Sequence, residues 1–193
     1  NNSCDMRRIE DTSLAELLMQ LKFAPPEKRK DMVEAAEQLM GIVQPDREYP
    51  FEFIWYRITG HRPKAEIKDH LIPSHELRRE LPIFISTLSS QVAQRVENLD
   101  QKVYSQQQLA EKFNVSQKTL GRWRKRGLIA RMFILKKKKK RLGFLESAVN
   151  RFQAEHPELV ENASRFRRLN SSQKKKIIKR AAELTKKTKQ SSY

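Results

Sequence analysis

The sequence predicts a mostly α protein: an N-terminal helical domain, then a winged helix-turn-helix with a short β-hairpin wing, and a basic C-terminal helix. Three observations lead there. Apolar residues recur at helical spacing through much of the first hundred positions. Residues 106–126 fit the template of two helices packed around a tight turn. Charge is one-sided: residues 1–100 carry 14 Lys and Arg against 17 Asp and Glu, a net −3, whereas residues 101–193 carry 26 against 6, a net +20. A basic excess of that size points to a polyanionic partner, nucleic acid or an anionic membrane, met by the second half.

With 193 residues and 38% apolar content the chain suits two small folded units better than one large core. The expected domains are 1–98, helical; 99–155, the winged helix-turn-helix; and 156–193, a basic helical extension with a disordered tail. A single cysteine, Cys4, excludes an intramolecular disulfide and a cysteine-rich zinc site, in keeping with a reducing cytosol. No apolar run approaches a membrane span, and Leu14–Phe23 is too broken by Glu16, Gln20 and Lys22 for a signal-peptide core. The expectation is a soluble, cytoplasmic, nucleoid-associated protein with no membrane partner. The chain opens Asn1-Asn2 without an initiator Met, as a processed product or a piece of a longer protein would.

Leu14, Leu17, Leu18 and Leu21 form a first amphipathic helix, capped by Thr12 or Ser13 and stopped by Pro25-Pro26. Pro26 starts a second, with a stripe of Met32, Ala35, Ala36, Leu39 and Val43. Pro50 opens a short helix over 51–59 that Gly60 ends, although its aromatic and β-branched content also suits a strand. Its aromatics read as core; the alternative is a base-stacking platform, which exposure of Phe53, Trp55 and Tyr56 would favour. Residues 74–79 and 82–95 read as helical with a bend near Pro82, and Leu77, Leu81, Phe84, Ile85, Leu88 and Val92 lie along one side. Polar residues 97–102 mark the domain boundary.

The helix-turn-helix follows from local chemistry. Ser105 caps the first helix; Leu109 and Phe113, four apart, face inward; Ala110 permits close helix contact. Asn114 sits where the turn needs a positive φ, tolerated best by Gly and then by Asn or Asp. Val115 plugs the turn, Ser116 caps the second helix, and Leu120 and Trp123 anchor it. The outward residues Gln117, Lys118, Gly121, Arg122 and Lys125 combine groups suited to base edges with cations suited to phosphates.

Gly127 ends that helix, and apolar strands at 131–135 and 141–145 flank five lysines, Lys136–Lys140, as a hairpin wing with a basic tip would. The alternative is a lysine tract or localisation signal. Residues 157–168 read as a helix, and Asn170 or Ser171 caps a last one carrying Ile177, Ile178, Ala181 and Leu184 against lysines and arginines. The candidate DNA-binding residues are therefore Ser116, Gln117, Lys118, Arg122, Arg124, Lys125, Lys136, Lys137, Lys138, Lys139, Lys140, Arg141, Lys174, Lys175 and Arg180, with duplex DNA as the partner. Charge alone predicts that residues 102–193 bind duplex without the rest. The acidic residues of the basic half show no metal-gathering spacing and no phosphate loop is present, so a non-enzyme without metal or cofactor is expected. Two rivals stand beside DNA binding: a protein-interaction adaptor held non-specifically on nucleic acid, and an RNA-binding protein.

The run from Val103 to Leu128 resembles the MerR-like winged helix-turn-helix. Together with the Leu-rich opening, Phe51-Glu52-Phe53, Tyr56-Arg57-Ile58-Thr59-Gly60, Arg62-Pro63 and Ala163-Ser164-Arg165-Phe166, it is similar to the N-terminal region of planctomycete-type RNA polymerase sigma factors. The resemblance spans nearly the whole chain and implies transcription initiation, with RNA polymerase core as a partner. Lys136–Lys140 replaces a more mixed turn at the wing tip. Either the polymerase-binding and promoter-recognising regions lie in a longer chain, or this is an accessory DNA-binding protein of sigma-factor descent.

Overall fold

The computed structural model describes residues 8–63, 70–135, 139–165, 176, 178–181 and 185. Eight α-helices, one 3-10 turn (Val96–Asn98) and two small sheets account for the elements among them. Helix α1 (Thr12–Leu21) is capped by Asp11, one residue before the expected Thr12 or Ser13; its carboxylate accepts from Leu14 N at 2.8 Å. Buried Glu80 accepts from the next free amides, Glu10 N and Asp11 N, both at 3.2 Å. Pro26 begins α2 (Pro26–Ile42), as its fixed φ and missing N–H favour.

The buried stripe of α2 is Val33, Ala36, Leu39, Met40 and Val43, with Glu37 among them. Met32 and Ala35 are only half-buried, so the face is turned from the one the apolar pattern predicted. Glu37 is buried on this face with them, and its partner lies in the other half of the chain. Residues 51–59 form α3 (Phe51–Thr59), a helix as favoured, closed by Gly60 at φ 74°. It is flanked by strands β1 (Glu48–Pro50) and β2 (Leu71–Pro73), an antiparallel pair.

One helix, α4 (Ser74–Gln91), replaces the two segments expected around Pro82. Leu77, Leu81, Phe84, Ile85 and Leu88 are all fully buried, and this continuous packing holds Pro82 inside the helix. Residues 92–95 are not helical. Instead β3 (Gln94–Arg95) runs parallel to β5 (Arg131–Leu135), which pairs with β6 (Lys139–Leu145); β4 (Val103–Ser105) closes the other edge in the order β3-β5-β6-β4. The expected two-stranded wing is thus the centre of a four-stranded sheet. Leu135 pairs with Lys139, so Lys139 and Lys140 belong to the strand and not to the turn.

Between β4 and β5 in the chain come α5 (Gln106–Lys112) and α6 (Gln117–Arg124), followed after the hairpin by α7 (Glu146–Glu155) and α8 (Pro157–Arg165). Two apolar clusters result. Leu109, Phe113, Leu120, Trp123, Leu128, Phe144, Val149, Phe152 and Val160 make one with Tyr104 and Ala130. The other unites the N-terminal helices with Ile129, Phe133, Leu145 and Ala148. The sheet therefore lies between the two clusters and belongs to both, and the boundary expected at 97–102 falls between two of its strands. Gly143 shows how close the layers are: a Cβ there would stand 2.6 Å from the Phe133 ring and 2.7 Å from a Val103 methyl.

Candidate nucleic-acid interface

Ser105 and Gln108 form a reciprocal capping box at the start of α5: Gln108 N donates to the Ser105 hydroxyl at 3.2 Å, and Ser105 N to Gln108 Oε1 at 2.9 Å. Asn114 adopts φ 52° in the turn, the left-handed conformation expected of it. Val115 N then reaches back to the Ala110 carbonyl at 2.9 Å. Ser116 accepts from Thr119 N at 3.1 Å and starts α6. Fully buried Leu120 and nearly buried Trp123 face inward, with Trp123 set edge-on to Phe113 at 5.5 Å between ring centres. Gly127 ends the segment at φ 111°.

Locking that face inward leaves Ser116, Gln117, Lys118, Arg122 and Lys125 exposed together on the outside. A Cβ on Gly121 would meet nothing within 4 Å, so the centre of this surface is open for a groove edge to approach. Residues 103–157 match the helix-turn-helix domain family. This segment is a DNA-binding helix-turn-helix domain. No match was found among curated proteins or solved structures.

The remaining candidate residues fall into three groups. Arg124 is half-buried and interacts within the chain, which sets it apart from the outward face of α6 in this domain. Lys139 and Arg141 are exposed on β6, whereas Lys140 donates to the Ser90 carbonyl at 2.8 Å and is tied to the end of α4. Arg180 is exposed in a helical stretch; Lys136, Lys137, Lys138, Lys174 and Lys175 lie outside the described residues, as do most of the last helix and its tail.

Two cations went unnoticed in the sequence. Lys102, just before the helix-turn-helix domain, and Lys112, the last residue of α5, hold their ammonium groups 4.8 and 4.7 Å from the Tyr104 ring centre, and the Tyr104 hydroxyl donates to Glu146 at 2.8 Å. Neither lies on α6, and no spacing rule links them to Tyr104. Among the described residues no group of His, Cys, Asp or Glu could hold a metal ion, and no helix is long and apolar enough to cross a membrane.

The aromatic helix α3 is divided. Phe51, Ile54 and Ile58 are buried and Trp55 half-buried, but Phe53 and Tyr56 are 38% and 51% exposed. With Pro50, Glu52 and Arg62 these two line an open groove of about 460 Å³, and Tyr49 stacks on Phe53 at 5.9 Å.

Proposed function

We propose that this chain reads duplex DNA in transcription initiation, in the manner its likeness to the N-terminal region of planctomycete-type sigma factors implies. RNA polymerase core is the protein partner in this reading, the nucleoid of a bacterial cytoplasm its setting, and it has no catalytic activity of its own. One observation carries it: the outward face of α6 presents Gln117, Lys118, Arg122 and Lys125 around an open Gly121, while Leu120 and Trp123 fix the helix from behind. The helix enters the major groove; Lys139 and Arg141 neutralise flanking phosphates.

Arg122 gives the test. A guanidinium there pairs bidentately with guanine O6 and N7, so Arg122→Ala should cost about 1–3 kcal/mol on a site selected from random DNA and little on random duplex. Arg180→Ala, in the basic extension, should weaken both duplexes alike. Anisotropy titrations at one salt concentration supply all four affinities. Equal losses from Arg122→Ala on both duplexes would remove base readout by this residue.

Exposure of Phe53 and Tyr56 favours a second reading, in which α3 stacks an unpaired base of RNA or single-stranded DNA while the helix-turn-helix holds duplex. The paired substitution Phe53→Ala and Tyr56→Ala should then weaken single-strand binding about fivefold or more and spare the duplex. Unchanged single-strand affinity would reject this reading.

A further inference from the structure

Three ties join the wing to the N-terminal half of the chain. Arg131, the first residue of β5, turns into the protein and grips Glu37 of α2 with two parallel hydrogen bonds, Nε to Oε1 at 2.5 Å and a terminal nitrogen to Oε2 at 2.8 Å. Both side chains are only 11% exposed. Its other terminal nitrogen lies 3.8 Å from Glu34, and Arg151 of α7 donates to the Glu37 backbone carbonyl at 3.3 Å. Towards the tip, the Lys140 ammonium meets the Ser90 carbonyl in the last turn of α4. There the helix leaves carbonyls without intrahelical donors and its dipole favours a cation. Ser89 adds a third tie, its hydroxyl accepting from Met132 N at 3.0 Å.

The hairpin is therefore held at its base by α2 and near its tip by α4, both elements of the N-terminal half. A buried ion pair contributes little net stability relative to apolar side chains of similar volume. What the bidentate fork does supply is direction, because a planar guanidinium on a carboxylate admits one orientation.

We propose that Glu37 and the Ser90 carbonyl at the end of α4 are positioning groups for DNA binding. They hold the wing at the angle to α6 at which Lys139 and Arg141, exposed on β6, reach the phosphates beside the recognition helix. The N-terminal half thereby sets how many phosphates the other half contacts, without touching DNA through these groups. This inference rests on the wing meeting DNA as proposed above.

The test compares salt dependence of duplex binding by the full chain for five variants: Glu37→Gln, Lys140→Met, a wing-neutral chain with Lys136–Lys139 and Arg141 changed to Ser, and the wing-neutral chain carrying each single change in turn. Each lost phosphate contact lowers the slope of log K against log salt by about 0.9. The expected result is that wing-neutral, Glu37→Gln and Lys140→Met each lower the slope by about two units or more, and that neither single change lowers it further in the wing-neutral chain. A purely stabilising role would shift the thermal midpoint and leave the slope of the folded fraction untouched. Lys140 is exposed and outside both apolar clusters, so Lys140→Met keeps the test alive if Glu37→Gln unfolds the chain. An unchanged slope in the wing-neutral chain would overturn both the wing contact and this inference. A lowered slope there with unchanged slopes in both single variants would overturn this inference alone, as would single effects that add fully to the wing-neutral loss.

Discussion

Deletion of residues 1–98 should leave the remainder, 99–193, without a cooperative unfolding transition and with duplex affinity reduced to that of a flexible basic chain. Charge distribution suggests the opposite, since the deleted half is net acidic. Packing decides against it. Ile129, Phe133, Leu145 and Ala148 are buried against the N-terminal helices, and β5 would lose β3 along with the support of α4. Returning Ile129, Phe133 and Leu145 to water costs about 1.5–3 kcal/mol each, a sum comparable with the whole stability of a small domain, about 5–15 kcal/mol. Arg131 would also lose its carboxylate partner. Circular-dichroism melting and anisotropy on a selected duplex measure both effects. A sharp melting transition with affinity within a few-fold of the full chain would show that the shared cluster is dispensable.

The helix-turn-helix was legible because its determinants are local. Asn114 needs only its own φ, Ser105 and Ser116 cap residues three positions on, and Leu120 and Trp123 are neighbours on a single helix. The buried face of α2 was not. Its sequence offers apolar residues at both 32, 35, 36 and 33, 36, 40, and the face that is buried also takes in Glu37, whose partner Arg131 lies 94 positions away. A carboxylate in an amphipathic pattern normally marks the solvent face; here it marks the interface.

Strands β3 and β4 escaped for a different reason. Segments of two and three residues carry no period, and what makes them strands is the free edges of β5 and β6. The same limit applied to Lys140. As one of five identical residues it could only be assigned to the tip, whereas its place on β6 and the nearby end of α4 give it a separate partner. The outward residues of α6 were found together because helical spacing alone separates them from Leu120 and Trp123.

Trp123→Ala should abolish ordered structure in the helix-turn-helix while the N-terminal cluster and the two central strands stay folded. Trp123 is 3% exposed and its ring lies 5.5 Å from both Phe113 and Phe152, joining α6 to the end of α5 and to α7. Its truncation in a core site costs about 3–5 kcal/mol. That loss falls on one cluster, because Trp123 belongs to the set around Leu109, Leu120 and Phe144 and not to the set around Leu14, Leu39 and Leu81. The dependence runs one way. The helix-turn-helix leans on the sheet through Phe144, and the sheet leans on the N-terminal helices through Phe133 and Leu145, but those helices hold Leu77, Leu81, Phe84 and Ile85 fully buried largely among themselves. Hydrogen exchange resolves the two: backbone amides of Leu109 and Leu120 should exchange near the unfolded rate in Trp123→Ala, those of Leu81 and Phe84 near the wild-type rate, and sequence-selective duplex binding should disappear. Equal acceleration of all four amides would show one cooperative unit in place of a platform that carries a separable DNA-reading head.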